Sequence, residues 1–223
     1  MSNTVELLGY YGSDEVIACS AWTSTSRELT EDKKTRVGKL INMLWSHGHE
    51  TPFEKSVVHF LVDTDIASHI HLLKHRISSV NAESARYKEL KEDKYYSPED
   101  WEKIEVSDKM MRVDGNGPAE ATWASTLAKY TRLGNRLYHA CMADLEPALG
   151  RKRAKESARF FKTYNSQIQA DIMFNMRSFA NFQKLRNSPD AQLEIREIAS
   201  IMLELVKNIE GKPFKHTLEA WQL

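Results

Sequence analysis

The sequence predicts a mixed α/β (α+β) domain in which helices predominate in the second half. Two short segments, at 5–10 and 56–62, indicate strands, and the second of them is rich in β-branched and aromatic residues. Several longer segments repeat apolar residues at helical spacing. The chain has 223 residues, of which 41% are hydrophobic and 28% charged, so we expect residues 1–223 to form a single domain.

In the N-terminal part, the strand at 5–10 ends at Gly12, and a short helix at 15–22 precedes a hydroxyl-rich loop at 23–30. The next helix begins near Asp32 and stops at Gly48. Its apolar face consists of Val37, Leu40, Ile41, Leu44 and Trp45.

A further helix should follow the strand at 56–62, with Thr64 and Asp65 available as N-caps. Its expected buried stripe consists of Ile66, Ile70, Leu73 and Ile77. At helical period His71, Lys74 and His75 flank that stripe, and a loop is expected from Ser78.

Residues 91–118 are polar and turn-rich and predict a long connection. The glycines of 114–120 suit a turn with Pro118 at the first helical position, because the third glycine of a dinucleotide motif and the lysine of a P-loop are missing. Further helices are expected from Pro118 to Pro147, from Arg151 through Arg159, and over 192–209. The helix from Pro118 to Pro147 should bury one face, which consists of Trp123, Leu127, Tyr130, Leu137 and Cys141.

Charge and composition exclude several classes of protein. Lys plus Arg and Asp plus Glu both number 31, so no overall field attracts nucleic acid or a membrane surface. No apolar run approaches the ~18 residues of a membrane span. We therefore expect a cytoplasmic protein, in the host cytoplasm if the source is viral, with neither nucleic acid nor membrane as a partner.

Metal and thiol chemistry are not expected. His71 and His75 have the i, i+4 spacing of zinc ligands, but no Glu lies between them and no cysteine pair completes a set. Cys141 lies late in a helix, where the dipole raises a thiol pKa, and Cys19 has no evident base nearby. Both cysteines fit packing roles.

Two clusters combine cations with amide and hydroxyl side chains. The first, KHRISSVNAESARY, covers 74–87, and the second covers 174–192. Arginines and amides suit phosphates and heterocycles, although such clusters also occur as solvated faces or ion-pair networks. Asn175, Arg177 and Arg186 do not share one helical face. Either the second segment bends, or its polar residues serve different ligands or different subunits.

The first cluster resembles the RHR-x7-S signature of the flavin-dependent thymidylate synthases (ThyX). His75, Arg76 and Ser84 match in spacing, and Arg86 and Tyr87 close the motif. Three other stretches follow in the order of that family: AWTS with Ser24, HETPFE at 49–54, and NMRSFANFQKLR at 175–186. The resemblance therefore covers most of the chain.

This resemblance implies long helices flanking a central antiparallel sheet, and a homotetramer with active sites at subunit interfaces. The implied reaction is reductive methylation of dUMP at C5. Methylenetetrahydrofolate (5,10-methylenetetrahydrofolate) would give the carbon, and NADPH would reduce the FAD cofactor.

The family resemblance also assigns site residues. Arg186 is the catalytic residue it indicates, because a cation at the uracil edge stabilises negative charge at N3 and O2 as C5 becomes nucleophilic. The residues implied for FAD are Ser24, His49, Thr51, Glu54, His75, Arg76, Asn81, Asn175, Arg177 and Asn181. Those implied for the nucleotide are His71, Lys74, Ser84, Arg86, Arg159 and Arg186.

The chain departs from the family pattern at several positions. Lys74 replaces the first arginine of RHR and loses its bidentate fork, and Ala82 stands where the family has a carboxylate, with Glu83 displaced by one. The other departures are Trp22, Thr23, His71 and Asp190. Methylation of UMP, hydroxymethylation of a pyrimidine nucleotide, and nucleotide binding without turnover remain open as alternatives.

Overall fold

The computed structural model describes residues 2–108 and 121–223, which contain four strands and eight helices. The strands are β1 (Thr4–Tyr11), β2 (Val57–Asp65), β3 (Ser79–Ala82) and β4 (Gln167–Asn175). They form one antiparallel sheet in the order β1-β2-β4-β3. The helices are α1 (Asp14–Trp22), α2 (Glu31–Ser46), α3 (Ile66–Leu73), α4 (Trp123–Leu149), α5 (Arg151–Ala158), α6 (Met176–Arg186), α7 (Leu193–Lys207) and α8 (Lys215–Trp221). The mixed α/β class is confirmed.

Contacts divide the chain into two compact units. The first comprises Met1–Asn3, Asp63–Ile70 and Ala82–Gln169, and the second comprises Thr4–Val62, His71–Asn81 and Ala170–Leu223. Each unit has a hydrophobic cluster of its own. The single domain expected for residues 1–223 stays a prediction.

The core of the second unit lies between one face of the sheet and the helices around α6. Strand β2 alternates in burial, so that Val58 and Phe60 are fully buried while their neighbours Val57, His59 and Leu61 are half-buried. Phe174 of β4 contacts Phe182 of α6 with ring centroids 5.1 Å apart. Each fully buried phenylalanine contributes roughly 2–3 kcal/mol of burial free energy. This aromatic packing fixes α6 on the sheet.

A buried carboxylate anchors the C-terminal helix α8. Asp14 accepts hydrogen bonds from the backbone N–H groups of His216 and Thr217, at 2.7 and 3.0 Å, and from the Thr217 hydroxyl at 2.7 Å. Burial raises the pKa of Asp14, against the lowering effect of these three donors. Because Asp14 opens α1, these bonds fix the start of α8 beside α1.

In the first unit, α4 and α5 pack around Tyr138 and Ala154, both fully buried. The buried ammonium group of Lys162 lies 2.7 Å from Asp93 and 2.9 Å from the Asn135 side-chain oxygen. It also lies 4.5 Å from the centre of the Tyr138 ring. The charge of this buried lysine is therefore compensated within the unit.

Most predicted elements are confirmed: the strands at 5–10 and 56–62, and the helices at 15–22, after Asp32 and over 192–209. Strand β4 and helix α8 were not predicted.

The loop expected from Ser78 is wrong, because residues from Ser79 pair as β3 at the edge of the sheet. Arg159 begins a 3-10 turn just beyond α5, and α4 runs past Pro147 to Leu149. The turn expected at 114–120 lies outside the described residues.

The buried face expected for α3 is wrong. The helix ends at Leu73, and the side chains of Ile70, Leu73 and Ile77 are 37%, 50% and 69% exposed. Its buried residues are instead Ser68, His69 and Leu72. An outward apolar stripe gives the same sequence period as a core stripe, so periodicity alone does not distinguish the two.

The same error occurs on α4, where the predicted inward residues Tyr130 and Leu137 are exposed. The buried face consists mainly of small and polar residues such as Thr131, Gly134 and Asn135. A Cβ on Gly134 would come within 2.5 Å of the Phe161 carbonyl oxygen, so close packing requires a residue without a side chain here.

No helix in the described parts of the chain is long and apolar enough to cross a bilayer.

Candidate functional site

A cavity of about 960 Å³ lies in the second unit. Its walls come from the end of α2, the link at 74–77, the exposed face of α6, and the end of α8. This volume lies near the upper end of the range for small-molecule sites and suits an extended ligand. The cavity brings together six of the residues predicted for the site: Lys74, His75, Arg76, Arg177, Asn181 and Arg186.

Helix α6 presents three of the cavity side chains as one stripe. Asn175 is its N-cap, and the Asn175 side-chain oxygen accepts from the Ser178 N–H at 2.8 Å. Arg177, Asn181 and Lys184 follow at i, i+4 and i+7 and are exposed on the face away from the core. The second cluster therefore bends at Asn175, where β4 ends and α6 begins, as one of the two sequence interpretations expected.

The cavity is strongly cationic although the chain as a whole is neutral. One carboxylate side chain lines it, that of Glu50, against five cationic side chains: Lys74, Arg76, Arg177, Lys184 and Arg186. Walls of one charge sign concentrate field lines in a cleft and attract ligands of the opposite sign. An anionic ligand is therefore the class that this cavity suits.

Arg177 is the cation whose charge the protein itself compensates. Its Nε donates to Glu50 at 2.7 Å and its Nη1 donates to Glu54 at 2.7 Å. These two carboxylates raise the pKa of Arg177. Within residues 2–108 and 121–223, Lys74, Arg76 and Lys184 form no ion pair, so their charges are available to a ligand.

Arg186 is held by a neutral histidine. Its Nε donates to the Nε2 of His75 at 3.0 Å, and the His75 ring lies edge-on against Phe182 with centroids 5.0 Å apart. His75 is only 9% exposed, and burial, with the Arg186 charge second, lowers the His75 pKa to about 4. The imidazole is thus an acceptor at neutral pH, and it leaves both terminal amino groups of Arg186 unused by any described residue.

Other predicted site residues do not line this cavity. In the second unit these are Ser24, His49, Thr51, Glu54, His71, Asn81 and Asn175, of which Glu54 reaches the site only through Arg177. Ser84, Arg86 and Arg159 belong to the first unit, where Arg86 donates to Glu156 at 3.0 Å.

The carboxylate beside Ala82 is already engaged. One oxygen of Glu83 accepts from the Lys88 ammonium at 2.6 Å, and the other accepts from the Gln169 N–H at 3.1 Å. Lys88 also approaches Glu92 at 3.7 Å. Glu83 therefore acts within the first unit as a structural carboxylate, tied to β4 and to the segment after Ser84.

The residues of the cavity fit a flavin nucleotide. The unpaired cations provide donors for a diphosphate, and Asn181 adds an amide. Ile77, Leu185 and Trp45 provide apolar surface for a flat ring system. Among the described residues no group of three or more His, Cys, Asp or Glu side chains is placed to hold a metal ion.

Sequence reasoning missed several cavity residues. Lys184 was detectable, because it continues the i, i+4, i+7 spacing of Arg177 and Asn181 along one helix. The residues from α2 and α8 carry no charge or motif, and only the tertiary fold brings them to the site: Asn42, Trp45, Ser46, Trp221 and Gln222.

The chain is similar to known proteins over most of its length. The family model described as thymidylate synthase complementing protein matches residues 6–210. The flavin-dependent thymidylate synthase of Anaplasma marginale is 31% identical over 203 residues, which cover 91% of this chain and 67% of that protein. The enzyme of the same name from Thermus thermophilus is 32% identical over 206 residues, covering 91% and 71%. That from Clostridium tetani is 30% identical over 230 residues, covering 97% and 87%.

A solved structure shares the fold. It is the UMP/dUMP methylase PolB from Streptomyces cacaoi, bound with 5-Br dUMP. The TM-score is 0.71 at 24% identity, and the match covers 100% of this chain and 96% of that one. At this identity the likeness concerns the fold alone.

The burial of His75, with the nearby charge of Arg186 second, predicts a pH effect on stability. The unfolded chain protonates His75 near pH 6.5, whereas the folded chain does so only near 4, so the unfolded state binds the extra proton first. The contribution of neutral His75 to the free energy of unfolding is therefore complete above pH 6.5. It is lost as the pH falls towards 4, by up to about 3 kcal/mol. Urea unfolding should show the free-energy gap between wild type and His75→Asn narrowing over that range. A gap that stays constant with pH would contradict this assignment, and His47→Asn, at an exposed histidine, is the control.

Proposed function

The chain belongs to the thymidylate synthase complementing protein family, an enzyme family whose matched members are flavin-dependent thymidylate synthases, and from this premise we propose that it methylates dUMP at C5 to give dTMP. The proposed carbon donor is 5,10-methylenetetrahydrofolate and the proposed reductant is NADPH. FAD is the proposed cofactor, and when bound it supplies the hydride of the reductive methylation.

One observation carries this proposal: a neutral chain collects five cationic side chains in one cavity, and within the described residues only Arg177 among them is paired with carboxylates. Flavin nucleotides, pyrimidine nucleotides and phosphorylated co-substrates are all anions. Lys74, Arg76 and Lys184 would bind phosphate oxygens, because none of them has an ion-pair partner in the described chain.

The cofactor assignments divide between direct and indirect roles. His75, Arg76, Arg177 and Asn181 line the cavity, and Asn175 orients α6 as its N-cap. Glu54, with Glu50, fixes the guanidinium of Arg177. The remaining proposed FAD contacts lie off this cavity and would reach the cofactor of a neighbouring subunit: Ser24, His49, Thr51 and Asn81.

Arg186 is the proposed catalytic residue. Placed against the uracil edge, its guanidinium would stabilise negative charge at N3 and O2 while C5 becomes nucleophilic. His75 prepares it for this task, because an acceptor on Nε fixes the plane of the guanidinium and directs the two terminal amino groups elsewhere. The chain needs no side-chain nucleophile for this reaction.

The nucleotide would be held by two further sets of side chains. Ser84, Arg86 and Arg159 are proposed for the phosphate and sugar, and His71 and Lys74 are proposed as further contacts to the nucleotide. Arg86 would exchange its single carboxylate partner, Glu156, for phosphate, which accepts two parallel donors from one arginine.

Methylation of UMP is a second candidate, and one feature favours it. Ala82 removes the family carboxylate, and Glu83 does not replace it because both of its oxygens are bound to Lys88 and Gln169. A site without that carboxylate has lost one group that contacts the nucleotide. The similar fold described as a UMP/dUMP methylase is consistent with this broader choice of substrate.

We propose a homotetramer with active sites at subunit interfaces. The exposed apolar stripe of α4, formed by Tyr130, Leu133 and Leu137, is 56%, 36% and 42% exposed. Apolar stripes of this kind mark protein interfaces. A second copy covering it would also explain how residues that lie away from the cavity contribute to a flavin site.

Arg186→Ala should abolish turnover without releasing flavin. Loss of one donor at developing charge typically lowers the rate by about 10²- to 10³-fold. Tritium release from C5-labelled dUMP, with folate and NADPH, measures turnover, and the absorbance of the purified protein measures bound flavin. Arg36→Ala, on the exposed side of α2, is the control. Normal turnover in Arg186→Ala rejects the catalytic assignment. A folded wild-type protein that takes up no FAD rejects the flavin proposal. Tritium release from C5-labelled UMP, with none from dUMP, selects the second candidate.

Charges on the apolar stripe of α4 should dissociate the oligomer. The double variant Leu133→Glu, Leu137→Glu places carboxylates in the interface, where burying them unpaired is unfavourable. Light scattering coupled to gel filtration should show a smaller species than wild type, with unchanged circular dichroism. Arg132→Glu, exposed on another side of the same helix, should leave the mass unchanged. Wild type that is already monomeric contradicts the tetramer.

A further inference from the structure

Two arginines proposed for the nucleotide phosphate stand on separate segments of the first unit. Arg86 follows β3, and Arg159 begins the 3-10 turn Arg159–Phe161 after α5. One phosphate group can accept from both guanidinium groups only if the two segments keep a fixed separation. The side chains that join these segments therefore decide the shape of the proposed phosphate site.

The turn that carries Arg86 is closely bonded, but the chain after it is irregular. The backbone N–H groups of Tyr87 and Lys88 both donate to the Ser84 carbonyl at 2.9 Å. The Arg86 N–H donates to the Ser84 hydroxyl at 3.3 Å. Residues 89–94 belong to no helix or strand. The direction of Arg86 therefore depends on the side chains from elsewhere in the unit that hold this stretch.

Leu90 is the point at which this stretch is held from both sides. Its N–H donates to the Tyr138 hydroxyl at 3.1 Å, and its carbonyl accepts from the Lys162 ammonium at 3.3 Å. Tyr138 is fully buried, and the Lys162 side chain is only 4% exposed. Two buried side chains thus replace the backbone partners that a strand would give Leu90. Lys155 of α5 adds a bond to the Tyr87 carbonyl at 2.7 Å.

Lys162 connects this stretch with the turn that carries Arg159. Its backbone N–H donates to the Arg159 carbonyl at 3.1 Å, while its ammonium reaches Leu90 and Asp93. Burying an ammonium group is costly, and an apolar side chain in place of a buried ion pair often stabilises a fold equally well. Stability alone therefore does not account for a lysine here, whereas a directional bond between the two segments does.

We propose that Lys162 is a positioning residue, which sets the separation between Arg86 and Arg159 so that both can bind one phosphate group. The proposal rests on the proposed function for the identity of the nucleotide that carries this phosphate. Tyr138 assists by fixing the other side of Leu90. Lys162 itself is buried and paired, so it contacts neither the nucleotide nor the reacting atoms.

Binding of dUMP and of deoxyuridine, which has no phosphate, tests this role. The ratio of their dissociation constants for the full chain, with FAD added, measures what the phosphate contributes. Two charge-assisted contacts predict that wild type binds dUMP about 100-fold more tightly than deoxyuridine. Lys162→Met keeps the length of the side chain and loses its donor. It should lower this preference about tenfold and change the affinities for deoxyuridine and FAD by less than about twofold.

Two further variants separate positioning from stability. Tyr138→Phe retains the ring and loses the acceptor of the Leu90 N–H, so it should lower the preference for dUMP about threefold. Thr131→Val is the matched control, because Thr131 is a fully buried residue of α4 whose hydroxyl bonds to the Leu127 carbonyl and to Asn165, outside the stretch at issue. Its preference should equal that of wild type even if it unfolds at a lower temperature.

The outcomes distinguish this inference from the proposed function. A lower preference in Lys162→Met and Tyr138→Phe, with Thr131→Val unchanged, supports the positioning role. No change in either variant, or an equal fall in the control, overturns it, while the wild-type preference for dUMP leaves the proposed function standing. A wild type that binds both compounds equally overturns the phosphate roles of Arg86 and Arg159, and this inference with them. If wild type takes up no flavin but prefers dUMP in a manner sensitive to Lys162→Met, the inference stands and the flavin proposal fails.

Discussion

The candidate site depends on the junction at which β4 ends and α6 begins. Asn175 caps the helix, and the aromatic contacts of Phe174, Phe179 and Phe182 fix its inner face. With that face buried, Arg177, Asn181 and Lys184 must point the other way. The hydrophobic core therefore determines where the cations of α6 stand, and a ligand meets them already in place.

The arginines of the cavity differ in how their charges are balanced. Arg177 is compensated by Glu50 and Glu54 and serves to hold the wall together. Arg186 is oriented by an uncharged acceptor, so its full charge remains available. A carboxylate in the place of His75 would have oriented Arg186 equally well but would have neutralised it. A buried histidine therefore suits the catalytic role proposed for Arg186, in which the charge of the guanidinium is used.

Sequence reasoning predicted the bounds of helices far better than it predicted which helix face is buried or which distant residues come into contact. Helices such as α2 and α7 have strong periodicity and clear ends, and their bounds were predicted closely. The exposed stripes of α3 and α4 were assigned to the core because an apolar face has the same period whether it meets a core or another surface. Strand β4 was missed because QIQADIMFN lies between helical segments and alternates only weakly.

The site was predictable where it is encoded in motifs and not where it is assembled by the fold. His75, Arg76, Arg177 and Arg186 follow from the family signature, and the cavity unites them. Trp45 and Trp221 are far apart in sequence and meet where α8, anchored by Asp14, packs on α2. No local pattern identifies such a pair.

The central claim is that uncompensated positive charge makes this cavity a site for a phosphate-bearing flavin. Its most direct test is the ratio of the dissociation constants of riboflavin, which has no phosphate, and FMN for the flavin-free protein. Charge-assisted hydrogen bonds contribute about 1.5–3 kcal/mol each, so FMN should bind at least about tenfold more tightly than riboflavin. The advantage should shrink as salt is added, because the charges are solvent-accessible. Equal affinities at low salt would contradict the account.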